Sequence, residues 1–208
     1  MPIVIAALVG YLMGAIPFGL IIGRLVKGVD LREHGSHRTG ATNALRTLGA
    51  KAAALIFALD IAKGVAAVLI ARGLGGDQAE WAAAVAGFAA VVGHNWSVFI
   101  RFTGGRGVAT SVGAIGAVSP WTLVVISPVV WIVMWRWRYV SLGSLVGALI
   151  MPIVTIGWFL VGQANAPAIA YAVAASALVA FAHADNIARL RAGTERRIGQ
   201  KEVPNGPV

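Results

Sequence analysis

Three glycines surround one arginine in Gly104-Gly105-Arg106-Gly107, within a polar stretch, Phe102–Thr110, that separates two apolar runs. Glycines leave backbone N–H groups free to turn inward, and the arginine adds a fixed positive charge. Such a concavity suits phosphate. The full Walker spacing is absent, so the loop does not indicate an ATPase. Gly93-His94-Asn95-Trp96 precedes it. His94 belongs to the same anion-binding set as the side chain that orients the loop, and Trp96 marks the level of lipid headgroups.

Two further clusters offer donors of the same kind. In Gly35–Arg46, Ser36 is followed by Gly40, Thr42, Asn43 and Arg46. Backbone N–H groups, a hydroxyl and a guanidinium could there serve one anion. A helix capped near Thr42 or Asn43 is expected to carry Arg46. The third cluster comes in two pieces. Arg138–Ser144 holds Ser141 and Ser144. His183–Glu195 places His183, Asn186 and Arg189 three apart, hence on one helix face, with Glu195 beyond.

The elements that position these clusters are apolar. Hydrophobic residues make up 58% of the chain and charged residues 12%, and the mean hydropathy is +0.80. A soluble domain of this length could not hide so much apolar surface. Expected spans are Ile3–Ile22, Ala50–Ala71, Trp81–Ile100, Val140–Val161 and Ala166–Ala182, with Val108–Trp135 divided at Ser119-Pro120 into a hairpin of two short helices. The N-terminal run lacks a basic leader and reads as an uncleaved span. Gly10-x-x-x-Gly14, Gly19-x-x-x-Gly23 and Gly143-x-x-x-Gly147 suggest close helix packing. Asp60 and Lys63, three apart within a span, are expected to neutralise each other.

Charge placement sets the orientation. The chain has 17 Lys+Arg against 8 Asp+Glu, a net charge of +9. All the basic residues except Lys63 and Arg72 fall in segments that a seven-crossing path puts on one side. That path has the N-terminus outside and the C-terminus cytoplasmic. The basic residues lie in short loops, not on a compact solvated face, which excludes nucleic acid as partner and points to anionic headgroups and phosphorylated substrates. Absence of cysteine removes disulfides, thiolate metal sites and a cysteine nucleophile. No metal site or cofactor is expected. Residues 1–201 read as one polytopic domain and 202–208 as a disordered tail. The expected class is an all-α integral membrane protein, a seven-transmembrane helical bundle with its polar clusters at the cytoplasmic face.

In combination, these segments resemble the bacterial acyl-phosphate-dependent glycerol-3-phosphate acyltransferase (PlsY) family over nearly the whole chain. Its first motif resembles GSGNIGATNxxR, matched by Gly35-Ser36, Gly40–Asn43 and Arg46. Its second resembles GHxxxVFxxFxGGKGVAT, matched by Gly93-His94, Val98-Phe99, Phe102 and Gly104–Thr110. Its third pairs RYxSLxS with HxxNIxRLxxGxE, matched by Arg138–Ser144 and His183–Glu195. His37-Arg38-Thr39 replaces the usual Gly-Asn-Ile, and Arg106 stands where lysine is usual. The resemblance implies acyl transfer from acyl phosphate to the 1-hydroxyl of sn-glycerol 3-phosphate, in the bacterial inner membrane and by a monomer among membrane lipids. Catalytic residues are then Ser36, Arg106, His183 and Asn186. Phosphate and substrate contacts fall to Gly40, Thr42, Asn43, Arg46, His94, Gly104, Gly105, Gly107, Ser141, Ser144 and Glu195. The base is either His183 or a phosphate oxygen of the donor.

Rival classes are disfavoured by what is missing. Acyltransferases using acyl-CoA or acyl-carrier protein have an aspartate five positions after a histidine. Here those positions hold Thr39, Thr42, Phe99 and Ala188. Metal-dependent CDP-alcohol phosphotransferases need an aspartate-rich helix, whereas Asp60 stands alone in the spans. The alternative from another class is a transporter for an organic phosphate, although the polar motifs gather at one face and no inverted repeat is visible.

Overall fold

Proline and glycine set the boundaries of the elements. A computed structural model describes residues 2–200, so the tail expected at 202–208 lies outside the described residues. Helix α1 runs Pro2–Ala15 and α2 Phe18–Lys27. Pro17 has no N–H to donate and disfavours helical geometry at Ile16. The first span, expected unbroken over Ile3–Ile22, is therefore two helices. There follow a short 3₁₀ turn at Leu31–Glu33, α3 Ala41–Thr47, α4 Ala50–Leu74, α5 Ala79–Asn95, α6 Val108–Val118, α7 Pro120–Trp137, α8 Val140–Leu160, α9 Ala166–Ala182 and α10 Ala184–Arg191. Among the described residues no β-strand forms; the one β-feature is an isolated bridge between Ser97 and Thr103.

Several boundaries differ from expectation. Helix α5 stops at Asn95, short of the expected Ile100, because the chain turns there to make the Ser97–Thr103 bridge. Gly40, in extended geometry, is the N-cap of α3 and no side chain caps it. The expected cap at Thr42 or Asn43 is thus not formed, and Asn43 has other partners. The break at Ser119-Pro120 falls where predicted, with proline opening α7.

Four helical stretches are long and apolar enough to cross a membrane: Pro2–Lys27, Ala50–Leu74, Pro120–Trp137 and Val140–Leu160. The α9–α10 pair, bent by 59°, makes up to five. Helix α6 is only about 17 Å long at 1.5 Å per residue, well short of a ~30 Å hydrocarbon core. The all-helical membrane class is what the sequence anticipated; length alone does not reach seven crossings.

Close packing comes from small residues. A Cβ on Gly10 or Gly14 would strike the backbone of Ala86 or Ala90, so α1 and α5 meet at backbone contact. Gly143 and Gly147 similarly admit Met134 and Val130 of α7. Gly19 and Gly23 face the Thr39 and Val29 carbonyls instead, so that pair seats a loop and not a helix. The central core holds Val68, Ala83, Ala114, Ala172 and Tyr171, whose hydroxyl donates to the Ser111 carbonyl at 3.1 Å. Outside, Leu8, Trp131, Leu149 and Leu160 are more than half exposed, a surface suited to lipid. One end of the bundle closes on Arg72, which pairs with Glu80 at 2.9 Å and donates to the Ala117 carbonyl at 3.1 Å. The polar clusters lie at the other.

Candidate active site

The loop before α3 is held by its own residues. Asn43, 2% exposed, shares its two Nδ2 hydrogens among the carbonyls of Leu31 (2.9 Å), His34 (3.0 Å) and Arg38 (2.9 Å), and its Oδ1 accepts the Ser36 N–H at 3.0 Å. Its carboxamide is thereby committed to the backbone. In this structure Asn43, expected from sequence to meet the ligand, shapes the loop that presents Ser36 and Gly40. Thr42 is exposed in the first turn of α3, and Arg46 occupies its last turn. Arg32, bonded to Asp30 at 2.7 Å, reaches the Ile100 carbonyl and Thr103 Oγ1 at 3.4 and 3.2 Å. That arginine joins the first cluster to the second.

The glycine loop is built on His94. Gly105 N–H donates to the His94 carbonyl at 3.1 Å, and a Cβ on Gly105 would collide with the His94 ring at Nε2. Gly107 caps α6 with φ +73°, where a side chain would also meet Val91 and Asn95. Glycine is required at both places, at the first by space and at the second by backbone conformation as well. Arg106 extends across to the α9–α10 junction. Its Nε donates to the Ala182 carbonyl at 3.2 Å and its Nη2 lies 2.6 Å from Asp185 Oδ2.

The third cluster converges on a carboxylate. Glu195 accepts Ser141 Oγ at 2.7 Å and Asn186 Nδ2 at 2.6 Å on one oxygen, and Arg189 Nε at 2.7 Å on the other. Burial pushes its carboxyl up, but the bonds from Ser141, Arg189 and Asn186 outweigh this and hold it below the usual glutamate value. Glu195, expected from sequence to contact substrate, takes three donors in this structure and anchors Ser141 and Asn186. Ser144 Oγ donates to the Val140 carbonyl at 3.0 Å. His183, 3% exposed, has Nδ1 2.8 Å from the Val179 carbonyl. A carbonyl can only accept, so Nδ1 carries the proton and Nε2 keeps its lone pair.

The structure therefore brings Arg106, Asn186, Ser141 and Glu195 together with His183, through Ala182 and Asp185, and links the Ser36 loop through Arg32. Asp185 and Arg32 had no role assigned from sequence. Asp185 had one available signal, its i,i+4 spacing to Arg189, realised at 3.2 Å. Among the described residues no group of three His, Cys, Asp or Glu could hold a metal ion.

Fold and site together define an integral membrane protein of the helical class, with a cation-bearing glycine loop and a histidine–asparagine–carboxylate cluster at one end of the bundle. A family model described as glycerol-3-phosphate acyltransferase matches residues 4–193. The chain is 42% identical over 200 residues to the glycerol-3-phosphate acyltransferase of Thermoanaerobacter sp. (strain X514), covering 95% of this chain and 96% of the relative. It is 45% identical over 197 residues to glycerol-3-phosphate acyltransferase 1 of Deinococcus radiodurans, with 95% and 96% coverage. The crystal structure of PlsY (YgiH), an integral membrane glycerol 3-phosphate acyltransferase in its glycerol 3-phosphate form, superposes with a TM-score of 0.83 at 38% identity over 96% of each chain. Its lysophosphatidic acid form gives 0.82 at 37%, again over 96% of each chain. The chain belongs to the glycerol-3-phosphate acyltransferase family of the PlsY type.

Proposed function

We propose that this protein transfers a fatty acyl group from acyl phosphate to the 1-hydroxyl of sn-glycerol 3-phosphate, giving lysophosphatidic acid and inorganic phosphate. The observation that carries this reading is the convergence of three donor-rich segments at one end of the bundle, linked by Arg106 and Arg32. A two-phosphate reaction needs such a set. The hydroxyl oxygen attacks the acyl carbonyl, the carbonyl–phosphate bond breaks, and phosphate leaves with its electron pair. Acyl phosphate is already activated, so no covalent enzyme intermediate is needed. Arg106, the backbone of Gly104, Gly105 and Gly107, Ser36 and Arg46 stabilise developing phosphate charge. Ser141 and Asn186, fixed by Glu195, orient the second phosphate and the hydroxyl. The hydroxyl proton goes to His183 Nε2 or to a donor phosphate oxygen.

Seven crossings, with α6 and α7 as a hairpin, keep the basic loops on the cytoplasmic side of the bacterial inner membrane, where both phosphorylated substrates are soluble or interfacial. The chain works as a monomer, residues 1–201 forming one domain that membrane lipids surround.

The test is acyl transfer by purified protein in lipid, with labelled glycerol 3-phosphate and either palmitoyl phosphate or palmitoyl-CoA. Lysophosphatidic acid from palmitoyl phosphate alone is expected. Product from palmitoyl-CoA alone would refute the donor assignment. Label moved across the membrane with no product from either donor would replace transfer by transport.

A further inference from the structure

We propose that Asp60, Lys63 and His94, buried inside the helical bundle, form a positioning device that ties the glycine loop to the break in the first membrane helix. The proposal rests on the acyltransferase reading and concerns what holds His94, a residue of the expected phosphate site, in place.

Lys63 and Asp60 face each other at 2.9 Å, as their i,i+3 spacing predicts, and are 4% and 1% exposed. Lys63 Nζ also donates to the Ile16 carbonyl at 2.9 Å and lies 5.6 Å from the centre of the Phe18 ring. Ile16 sits in the α1–α2 break. In an unbroken helix its carbonyl would accept the Leu20 N–H, but that N–H bonds the Pro17 carbonyl at 3.0 Å. Lys63 thus holds a carbonyl that the break takes out of the i→i−4 ladder and that otherwise accepts only the local Phe18 N–H at 3.1 Å. On the other side, His94 Nδ1 lies 3.5 Å from the same Asp60 oxygen that faces Lys63. His94 is also the residue on which the loop is built, since its carbonyl accepts Gly105 N–H and its ring fills the space a Gly105 Cβ would take. The chain of contacts therefore runs from Ile16 through Lys63, Asp60 and His94 to Gly105, one residue from Arg106.

Stability is a poor reason for such a cluster. Desolvation of two buried charges offsets most of their attraction, so removing both is tolerated far better than removing one. Either charge alone in a span is costly. Location is the better reason: Asp60 and Lys63 restrain the one histidine that sets the height and tilt of the phosphate cradle.

This contrast supplies the test. Asp60→Asn and Lys63→Met, singly and together, are compared with wild type in lipid nanodiscs for thermal unfolding, glycerol 3-phosphate affinity by calorimetry, and KM and kcat. Wild-type turnover tests the function itself, whereas the variants' affinity relative to wild type tests positioning. Single variants lose folded protein. The double variant regains a wild-type unfolding temperature, yet its KM for glycerol 3-phosphate rises about tenfold and kcat falls, because a displaced loop misplaces bound phosphate. A folded double variant with wild-type affinity, KM and kcat overturns the proposal. Should the double variant not fold, Asp60→Glu decides. It keeps both charges but moves the carboxylate by one methylene, so a raised KM is expected and a wild-type KM overturns the proposal.

Discussion

Arg106 Nη2 lies 2.6 Å from Asp185 Oδ2, so the cation of the glycine loop is joined to the helix that follows His183. The same aspartate oxygen lies 3.2 Å from Arg189 Nη1. One carboxylate thereby holds two guanidiniums at the centre of the site, in a place where a phosphate could compete for both. Removing the Arg106 charge should cut kcat/KM by about 100-fold or more, the usual scale for losing one charge-stabilising donor. Arg106→Lys keeps the charge but gives up the planar fork that reaches Ala182 and Asp185 together, so its loss should be smaller. Steady-state kinetics with palmitoyl phosphate check both, and an Arg106→Ala enzyme within a few-fold of wild type would remove Arg106 from the mechanism.

The Asn43 carboxamide fixes the first loop, and its substitution separates loop shape from ligand contact. Asn43→Ala leaves the Ser36 N–H and three carbonyls without their partner, at a cost of roughly 2–3 kcal/mol. Asn43→Asp keeps an acceptor for Ser36 but turns a negative oxygen toward three carbonyls, so it should be no better. Both variants are expected to melt lower and to show a raised KM. Normal melting with only KM raised would instead mean that Asn43 meets the ligand directly.

Much of this architecture was visible in the residues. Apolar length marked the spans because a bilayer imposes a fixed thickness, and Ser119-Pro120 marked the α6–α7 break because proline acts locally. Pro17 has the same chemistry, but it sits inside an unbroken apolar run whose length outweighed the signal. The polar clusters were recognisable by type, yet their partners were not. An asparagine in a polar loop looks the same whether it serves a ligand or, as Asn43 does, its own backbone. Glu195 was recognisable as a site residue by type, but its hold on Ser141, Asn186 and Arg189 was not. Arg106 and Asp185 meet across 79 positions, and no periodicity encodes a pair at that distance.

Gly105 is a test of space. A methyl group there must displace the His94 ring or lift the loop, and overpacking of this kind typically costs about 1–3 kcal/mol. Gly105→Ala should therefore weaken glycerol 3-phosphate binding while leaving the helical content by circular dichroism unchanged. Wild-type affinity in Gly105→Ala would show that the His94 ring can move aside without disturbing the cradle.

Glu195 sets the acid limit of the site. Its carboxyl is held below the usual value of 4.5, burial opposing and the Ser141, Arg189 and Asn186 bonds prevailing. A group whose folded pKa is depressed adds stability above its unfolded value, and this is lost as pH falls through the folded one. The unfolding temperature should therefore hold steady from neutrality to about pH 5 and decline below about 4.5, reported by the reference glutamate pKa. Protonation also removes the charge that holds Asn186 and Ser141, so transfer activity should decline over the same window. Glu195→Gln should lower the neutral plateau, because its amide nitrogen turns a donor toward Ser141, Asn186 or Arg189, and should flatten the acid limb. Unfolding and activity profiles from pH 3 to 8 for the two proteins decide the matter: an acid limb of the same depth in Glu195→Gln would assign the transition to another carboxylate.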